Sequence, residues 1–128
     1  MKSWRYGGFL GLICLVGLLL FGQALPIQAQ GSGAAPGKPA LYEFGAGYCL
    51  SCKEMEKVMA ELKTTHSDQV EFRMIYADKE KHLFQQYKVV LIPTQVFLDA
   101  QGKEVDRHMG ALTKEEVLKK LKELQLIR

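Results

Sequence analysis

Cysteine is scarce in this chain, which has three cysteines among its 128 residues. Cys14 lies in a hydrophobic N-terminal leader, residues 1–29, and is best explained as a small apolar residue there. The rest of the chain therefore holds only Cys49 and Cys52. A small exported domain that depends on disulfides for stability usually carries two or more bridges. The scarcity of cysteine argues against a disulfide-stabilised scaffold. A single close pair of cysteines is better suited to a reactive role than to a structural one.

An excess of charge of one sign is also missing once the leader is set aside. Lys2 and Arg5 belong to the leader, so the 17 basic residues of the chain become 15, against 14 acidic ones. The remaining lysines are interleaved with glutamates in helical segments, as on a solvated face. We therefore expect no nucleic-acid partner.

The first 29 residues differ from the rest of the chain. Lys2 and Arg5 precede a mostly apolar stretch from Tyr6 to about Gly22, and Ala29 ends a run that contains small residues. This pattern is typical of a secretory signal peptide. The apolar stretch is just short of the roughly 20 residues of a comfortable membrane span, so an N-terminal membrane anchor is the alternative. Both interpretations place the remainder outside the cytoplasm, because the basic residues stay inside.

The rest of the chain divides into a linker and one domain. Residues 30–39 are rich in Gly, Ala and Pro, a composition typical of a flexible linker. Residues 40–128 follow as one domain, large enough for a single core. Its patterns run in the order strand, helix, strand, helix, strand, strand, helix. This order predicts an α/β fold in which a mixed sheet of about four strands is covered by helices.

Local signals mark the three predicted helices. Asp78 is expected to cap the second helix, from about Lys79 to Tyr87. Thr113 and Glu116 predict a capping box at the start of the last helix. An apolar stripe at helical spacing predicts the buried face of the first helix: Met55, Val58, Met59 and Leu62.

The most informative motif is the run from Cys49 to Cys52, two cysteines three apart at the end of a strand-like run and the start of a helix. A helix N-terminus offers unpaired N–H groups and positive dipole charge, which favour a thiolate and lower the pKa of the first cysteine. A thiolate attacks disulfides, so the pair predicts thiol–disulfide exchange. About forty residues later the chain has Ile92, Pro93 and Thr94, a second element that this chemistry commonly uses.

On these two motifs the chain resembles the thioredoxin family over residues 40–124. It resembles in particular the C-terminal periplasmic domain of the DsbD-type reductases, because residues 49–57 follow that domain's CxxCKExEK pattern. The resemblance implies a thioredoxin-like fold and a cis peptide bond before Pro93. Two features differ: Tyr48 stands where the family usually has Trp, and there is little room for the family's first strand and helix. A sheet that lacks both is therefore expected, or a linker partly ordered along its edge.

The resemblance also suggests roles for individual residues. Cys49, at the exposed first turn, is the candidate nucleophile, and Cys52, one turn deeper, is the candidate resolving thiol. Glu43 lies six residues before Cys49, where thioredoxin-like proteins carry a buried acid. Its raised pKa would suit a proton relay to Cys52, unless it is an edge-strand glutamate in water. Glu56 matches an acidic position of the DsbD-type domain and could tune the pKa of the cysteines, or it is a solvated helix residue.

Three residues form the predicted substrate-binding set: Tyr48, Ile92 and Pro93. If the bond before Pro93 is cis, the backbone of Ile92 is free to pair with an extended peptide that flanks the target disulfide. The alternative is an ordinary loop proline before an edge strand.

The predicted function is that of an exported thiol–disulfide oxidoreductase, monomeric and without metal or cofactor. Leu50 and Ser51 between the cysteines include no histidine of the kind found in oxidising members such as DsbA, which favours a reductase. A reductase in an oxidising compartment must be recharged. The resemblance therefore implies a membrane electron donor of the DsbD or CcdA type. The acceptors would be disulfides of exported proteins, with apocytochrome c as one plausible example.

Four alternatives use the same cysteines. They could serve a disulfide oxidase or isomerase, or bind Cu(I) through soft thiolates in a copper module. They could also form a structural disulfide. A zinc half-site would need two more ligands, and His66, His82 and His108 show no paired spacing.

Overall fold

A four-stranded mixed sheet organises the computed structural model, which describes residues 37–128. The sheet has the order β2-β1-β3-β4, with β1 parallel to β2 and antiparallel to β3, and β3 antiparallel to β4. Because β1 and β3 are central, every residue of both strands is buried. Within residues 37–128 no strand or helix precedes β1, so β2 is an edge strand. The strands are β1 (Ala40–Gly45), β2 (Glu71–Tyr76), β3 (Thr94–Leu98) and β4 (Glu104–Met109).

Three helices cover the two faces of this sheet, and the predicted mixed α/β architecture is confirmed. They are α1 (Leu50–His66), α2 (Lys81–Gln86) and α3 (Lys114–Glu123). The parallel pair β1 and β2 needs a crossover connection, which α1 supplies. Helices α1 and α3 pack on one face of the sheet and α2 packs on the other.

Alternation along β1 divides the core into two layers. Leu41 points to the face covered by α1 and α3, whereas Tyr42 and Phe44 point to the face covered by α2. Glu43 follows the same alternation and lies on the α1 face. The α1 layer also contains Met55, Met59, Leu62, Phe97, Val117 and Leu121.

Most local predictions for the helices are confirmed, and one is wrong. The inward stripe of α1 is buried, with Val58 partly so, and the capping box of Thr113 and Glu116 forms as expected. Asp78 does not cap α2, whose N-cap is Glu80 without a side-chain capping bond. The reason is a turn before the helix, in which the N–H groups of Lys79 and Glu80 both donate to the carbonyl of Tyr76.

The predicted leader, residues 1–29, and most of the predicted linker lie outside the described residues. Within residues 37–128 the structure has no helix long and apolar enough to cross a membrane.

Candidate active site

Helix α1 begins at the dithiol, and Cys49 is its N-cap. Its backbone is extended, and its Sγ lies 3.2 Å from the backbone N of Cys52, which donates to it. The N–H of Cys49 itself donates to the carbonyl of Ala46 at 3.1 Å, which fixes the loop that leads into the helix. The first cysteine sulfur thus meets an otherwise unpaired N–H and the positive end of the helix dipole. Both favour a thiolate there once the pair is reduced.

The two cysteines differ in access. The structure joins them as a disulfide, with their Cα atoms 5.2 Å apart. Cys49 is half-buried, whereas Cys52 is only 2% exposed. The hydroxyl of Ser51 lies 3.4 Å from the Cys49 Sγ. A partner disulfide can therefore approach Cys49, while Cys52 is shielded beneath it.

Gly45, the last residue of β1, allows the sheet to approach Cys52 closely. A Cβ atom at this position would lie 3.1 Å from the Cys52 Cβ and 3.4 Å from its Sγ. The sequence reasoning did not single out this residue. A glycine at the end of an apolar strand is a signal for such close approach, and it could have been used.

Glu43 is fully buried in the central strand, two residues before Gly45 and on the same face. Its Oε2 accepts a hydrogen bond from the Gln95 Nε2 at 2.8 Å, and its Oε1 has no partner within the described residues. Burial raises the pKa of Glu43 to about 8, and the hydrogen bond from Gln95 acts in the opposite direction. The alternative of an edge-strand glutamate in water is therefore wrong.

Gln95 is a buried polar residue beside Glu43 that sequence reasoning missed. It is fully buried in β3, and besides Glu43 its Nε2 donates to the carbonyl of Gly110 at 3.0 Å. The available signal was a polar residue two before Phe97, at an inward position of an otherwise apolar strand.

Glu56 lies half-buried on α1, one turn beyond Cys52. It accepts a hydrogen bond from the hydroxyl of Tyr76 at the end of β2, and this bond raises the pKa of Tyr76 to about 12. Glu56 is therefore not a freely solvated helix residue. Its influence on the cysteines remains a prediction.

The loop before β3 carries the second motif. The Ile92–Pro93 peptide bond is cis, as the resemblance implied. Pro93 is buried, and its carbonyl accepts from the N–H of Gly110 at 2.8 Å. This loop lies at the same end of the sheet as the dithiol, because Phe44 near the end of β1 pairs with Thr94 at the start of β3. Within residues 37–128 the backbone of Ile92 has no hydrogen-bond partner.

Exposed apolar side chains lie at this end of the sheet, in the loop before α1 and in the loop before β3. Tyr48, which belongs to the predicted substrate-binding set and stands where the family usually has Trp, is 86% exposed. We define the apolar rim as four strongly exposed residues of these loops and of the first position of α1: Tyr48, Leu50, Val90 and Leu91. The structure thus places the substrate-binding candidates beside apolar surface that sequence reasoning had not noticed.

Metal-ligand groups are not gathered around the pair. Within residues 37–128 no group of three or more His, Cys, Asp or Glu side chains is arranged to hold a metal ion. The copper and zinc alternatives would therefore have only the two cysteine sulfurs as ligands in this part of the chain.

A mixed sheet that delivers a CxxC pair to a helix N-terminus, with a cis proline at the same end, defines the thioredoxin-like class of thiol–disulfide oxidoreductases. The chain belongs to the thioredoxin family, because the family model described as thioredoxin matches residues 33–123. It is 35% identical over 97 residues to a thiol:disulfide interchange protein, a TxlA homolog from Synechocystis sp., a match that covers 69% of this chain and 54% of that protein.

Two further similarities support the family. The thiol:disulfide interchange protein DsbD from Tatumella citrea is 29% identical over 119 residues, which cover 80% of this chain and 21% of that protein. The crystal structure of thioredoxin NaTrxh from Nicotiana alata superimposes with a TM-score of 0.61 and 36% identity, over 68% of this chain and 73% of that one. The chain spans about half the length of the first curated relatives it matches.

Proposed function

We propose that this protein is an extracytoplasmic disulfide reductase, which passes electrons from a membrane donor to disulfides of exported proteins through Cys49 and Cys52. The observation that carries the proposal is the position of Cys49 as helix N-cap, accessible and hydrogen-bonded, above a shielded Cys52. The relatives named as thiol:disulfide interchange proteins support the same chemistry.

The reaction proceeds in two exchanges. The Cys49 thiolate attacks one sulfur of the target disulfide, so that a mixed disulfide forms and the other target sulfur leaves with the electron pair. Cys52 then attacks the Cys49 sulfur, and the second target sulfur leaves as a thiolate. The target has gained two electrons, and the protein holds the Cys49–Cys52 disulfide seen in the structure.

Glu43 serves the second exchange. The thiol of Cys52 must lose its proton before its sulfur can attack, and the site is too shielded for bulk water to accept that proton easily. A carboxylate on the same side of β1 can accept it, and a pKa of about 8 lets the group change its protonation state near neutral pH. In the reverse direction the protonated Glu43 returns the proton to Cys52.

Two features recognise the target. The unpartnered backbone of Ile92 can pair with an extended segment beside the target disulfide, and cis Pro93 holds that loop at the dithiol end of the sheet. The apolar rim then contacts hydrophobic side chains on either side. Extended, incompletely folded exported proteins meet both requirements, and apocytochrome c is one such protein.

The proposed location implies the kind of electron donor that the protein needs. A reductase in an oxidising compartment uses up its electrons and must be recharged across the membrane, which a transporter of the DsbD or CcdA type would do. The leader predicted for residues 1–29 is consistent with this location, whether it is removed or kept as an anchor.

Two cysteine variants test the mechanism. Cys49→Ser should abolish reduction of a model protein disulfide, because the attacking thiolate is gone. Cys52→Ser should accumulate mixed disulfides with the target, detected as a mass increase under non-reducing conditions, because the first exchange survives and the second does not. Each variant is the matched control for the other. A Cys52→Ser protein that remains fully active over many turnovers would show that the two-thiol mechanism is wrong.

A further inference from the structure

A row of four side chains crosses the sheet beneath the dithiol. Met74 of β2 pairs with Glu43 of β1, Glu43 pairs with Gln95 of β3, and Gln95 pairs with His108 of β4. Residues directly opposite each other in a sheet point to the same face, here the face covered by α1 and α3. Glu43 and Gln95 at the centre of the row are both fully buried.

The amide of Gln95 has only one workable orientation. Its Nε2 donates to the Glu43 Oε2 at 2.8 Å and to the Gly110 carbonyl at 3.0 Å, so both N–H bonds are used. A flipped amide would turn its oxygen toward the Gly110 carbonyl, which can only accept. The Gly110 carbonyl therefore fixes Gln95 as a donor to Glu43.

The loop that contains Gly110 is held by hydrogen bonds at two of its residues. Its N–H donates to the carbonyl of Pro93 at 2.8 Å. Two residues later the N–H of Leu112 lies 3.2 Å from the sulfur of Met55 on α1. The loop that fixes Gln95 is thus connected to the cis-proline loop and to the helix that carries the cysteines.

We propose that Gln95 is a positioning residue for the proton relay: held by the Gly110 carbonyl, it binds one carboxyl oxygen of Glu43 and leaves the other free to take up and release the proton. The proposal rests on the role of Glu43 in the proposed function. The free oxygen is Oε1, which has no partner within residues 37–128.

The same contact adjusts the proton affinity of Glu43. Burial disfavours the carboxylate and raises its pKa, whereas a donor that cannot be reversed favours the carboxylate and opposes that rise. Without Gln95 the carboxyl would stay protonated to higher pH. It could then still donate a proton, but near neutral pH a smaller fraction of the molecules would be ionised and able to accept one from Cys52.

Gln95 is not needed merely to fill the core. Its own Oε1 has no partner within the described residues, so the amide leaves an unsatisfied polar atom in the interior. An apolar side chain of similar size would remove that atom, but it would leave the Glu43 Oε2 and the Gly110 carbonyl without the donor they share. The amide is therefore explained by its two hydrogen bonds rather than by packing.

The other titratable groups that face Glu43 are few. From α1 they are Cys52 and Glu56. Glu56 is hydrogen-bonded to Tyr76 of β2, which pairs with Gly45, two residues after Glu43. The remaining buried residues of α1 and α3 on this face are apolar. From β4 they are His108, at the end of the row, and Asp106, which is paired with Lys120 of α3. His108 is the titratable residue that pairs directly with Gln95, so its variant is the control.

The experiment compares Gln95→Met, which keeps the size but removes the donor, with His108→Gln. The carboxyl carbon of Glu43 is titrated by ¹³C NMR in the oxidised protein, where the disulfide keeps the cysteines from titrating. The pH–rate profile for reduction of a model disulfide is measured in parallel. Gln95→Leu is a second variant in case Gln95→Met does not fold.

We expect Gln95→Met to raise the Glu43 titration midpoint by about one pH unit, because the net free energy of one hydrogen bond corresponds to a pKa shift of about that size. The pH–rate profile should move by the same amount. His108→Gln should leave both unchanged. An unmoved Glu43 midpoint in Gln95→Met, or a profile that moves with His108→Gln, overturns the proposal for Gln95. If instead the midpoint moves but neither Gln95→Met nor Glu43→Gln alters the rate profile, the relay role of Glu43 fails, and the proposal fails with it.

Discussion

Glu43 places an ionisable group in the interior of the central strand, and this makes stability depend on pH. In the unfolded chain its pKa is near 4.5, and in the folded protein burial raises it to about 8. Between these values the unfolded state releases a proton that the folded state keeps. The free energy of unfolding therefore falls as pH rises through this window, and it levels off above it. At ~1.4 kcal/mol per pKa unit the total is at most about 5 kcal/mol.

Glu43→Gln should remove this dependence. An amide of the same size carries no proton to lose. The free energy of unfolding of the variant should therefore increase relative to that of the wild-type protein as pH rises from 5 to 9. Urea unfolding of the oxidised proteins at several pH values measures the difference, with His108→Gln as the control. Equal pH slopes for Glu43→Gln and the unchanged protein would mean that the carboxyl is not the group responsible.

The sequence allowed Glu43 to be predicted but not its partner. The position of Glu43 relative to Cys49 is local information, and an acid in an apolar strand is conspicuous. Gln95 lies 52 residues further along the chain, and its contact with Glu43 depends on the pairing of β1 with β3. The position of Gly45 at the end of β1 is local information too, but the contact that Cys52 makes there is not. Contacts between distant segments are set by register, which the pattern of one strand does not contain.

At the scale of elements, helix starts were predictable where the cap lies in the adjacent sequence. The capping box of α3 needs only Thr113 and Glu116, which are three residues apart, and it forms. The start of α2 depends instead on how the chain leaves β2. The turn at Tyr76 displaces the helix start from Asp78 to Glu80, and a side-chain preference at one position could not reveal this.

The apolar rim is an element-scale feature whose role can be separated from folding. Val90→Ser and Leu91→Ser together should raise the KM for an unfolded, disulfide-bonded protein several-fold, because they remove exposed apolar contact area beside the dithiol. Reduction of a small aromatic disulfide should be unchanged. Stability should stay within about 0.5 kcal/mol, since both residues are exposed.

Val105→Ser is the matched control for the rim. Val105 is also an exposed apolar residue, but it lies in β4 next to Glu104, whose partner Leu98 is at the other end of β3 from Thr94. It should affect neither substrate. If Val105→Ser raises the KM as much as the rim variant does, general surface hydrophobicity and not the rim binds the target.

At the scale of the whole molecule, the direction of electron flow depends on how strongly the fold stabilises the reduced pair. A strongly oxidising member such as DsbA has a high potential because its reduced form is stabilised. Here the Cys49 sulfur receives one backbone N–H and lies near one hydroxyl, and within residues 37–128 no basic side chain is hydrogen-bonded to it. The buried Glu43 also disfavours a second negative charge nearby once it is ionised.

We therefore predict a reducing pair, with a potential below that of protein disulfide isomerase, about −180 mV. Equilibration with glutathione buffers, followed by thiol alkylation and mass measurement, gives the value directly. Ser51→His provides the matched comparison, because it introduces a side chain able to carry positive charge between the cysteines. That charge should stabilise the thiolate and raise the potential. A value for the unchanged protein near the roughly −120 mV of DsbA would identify an oxidase and reverse the proposed electron flow.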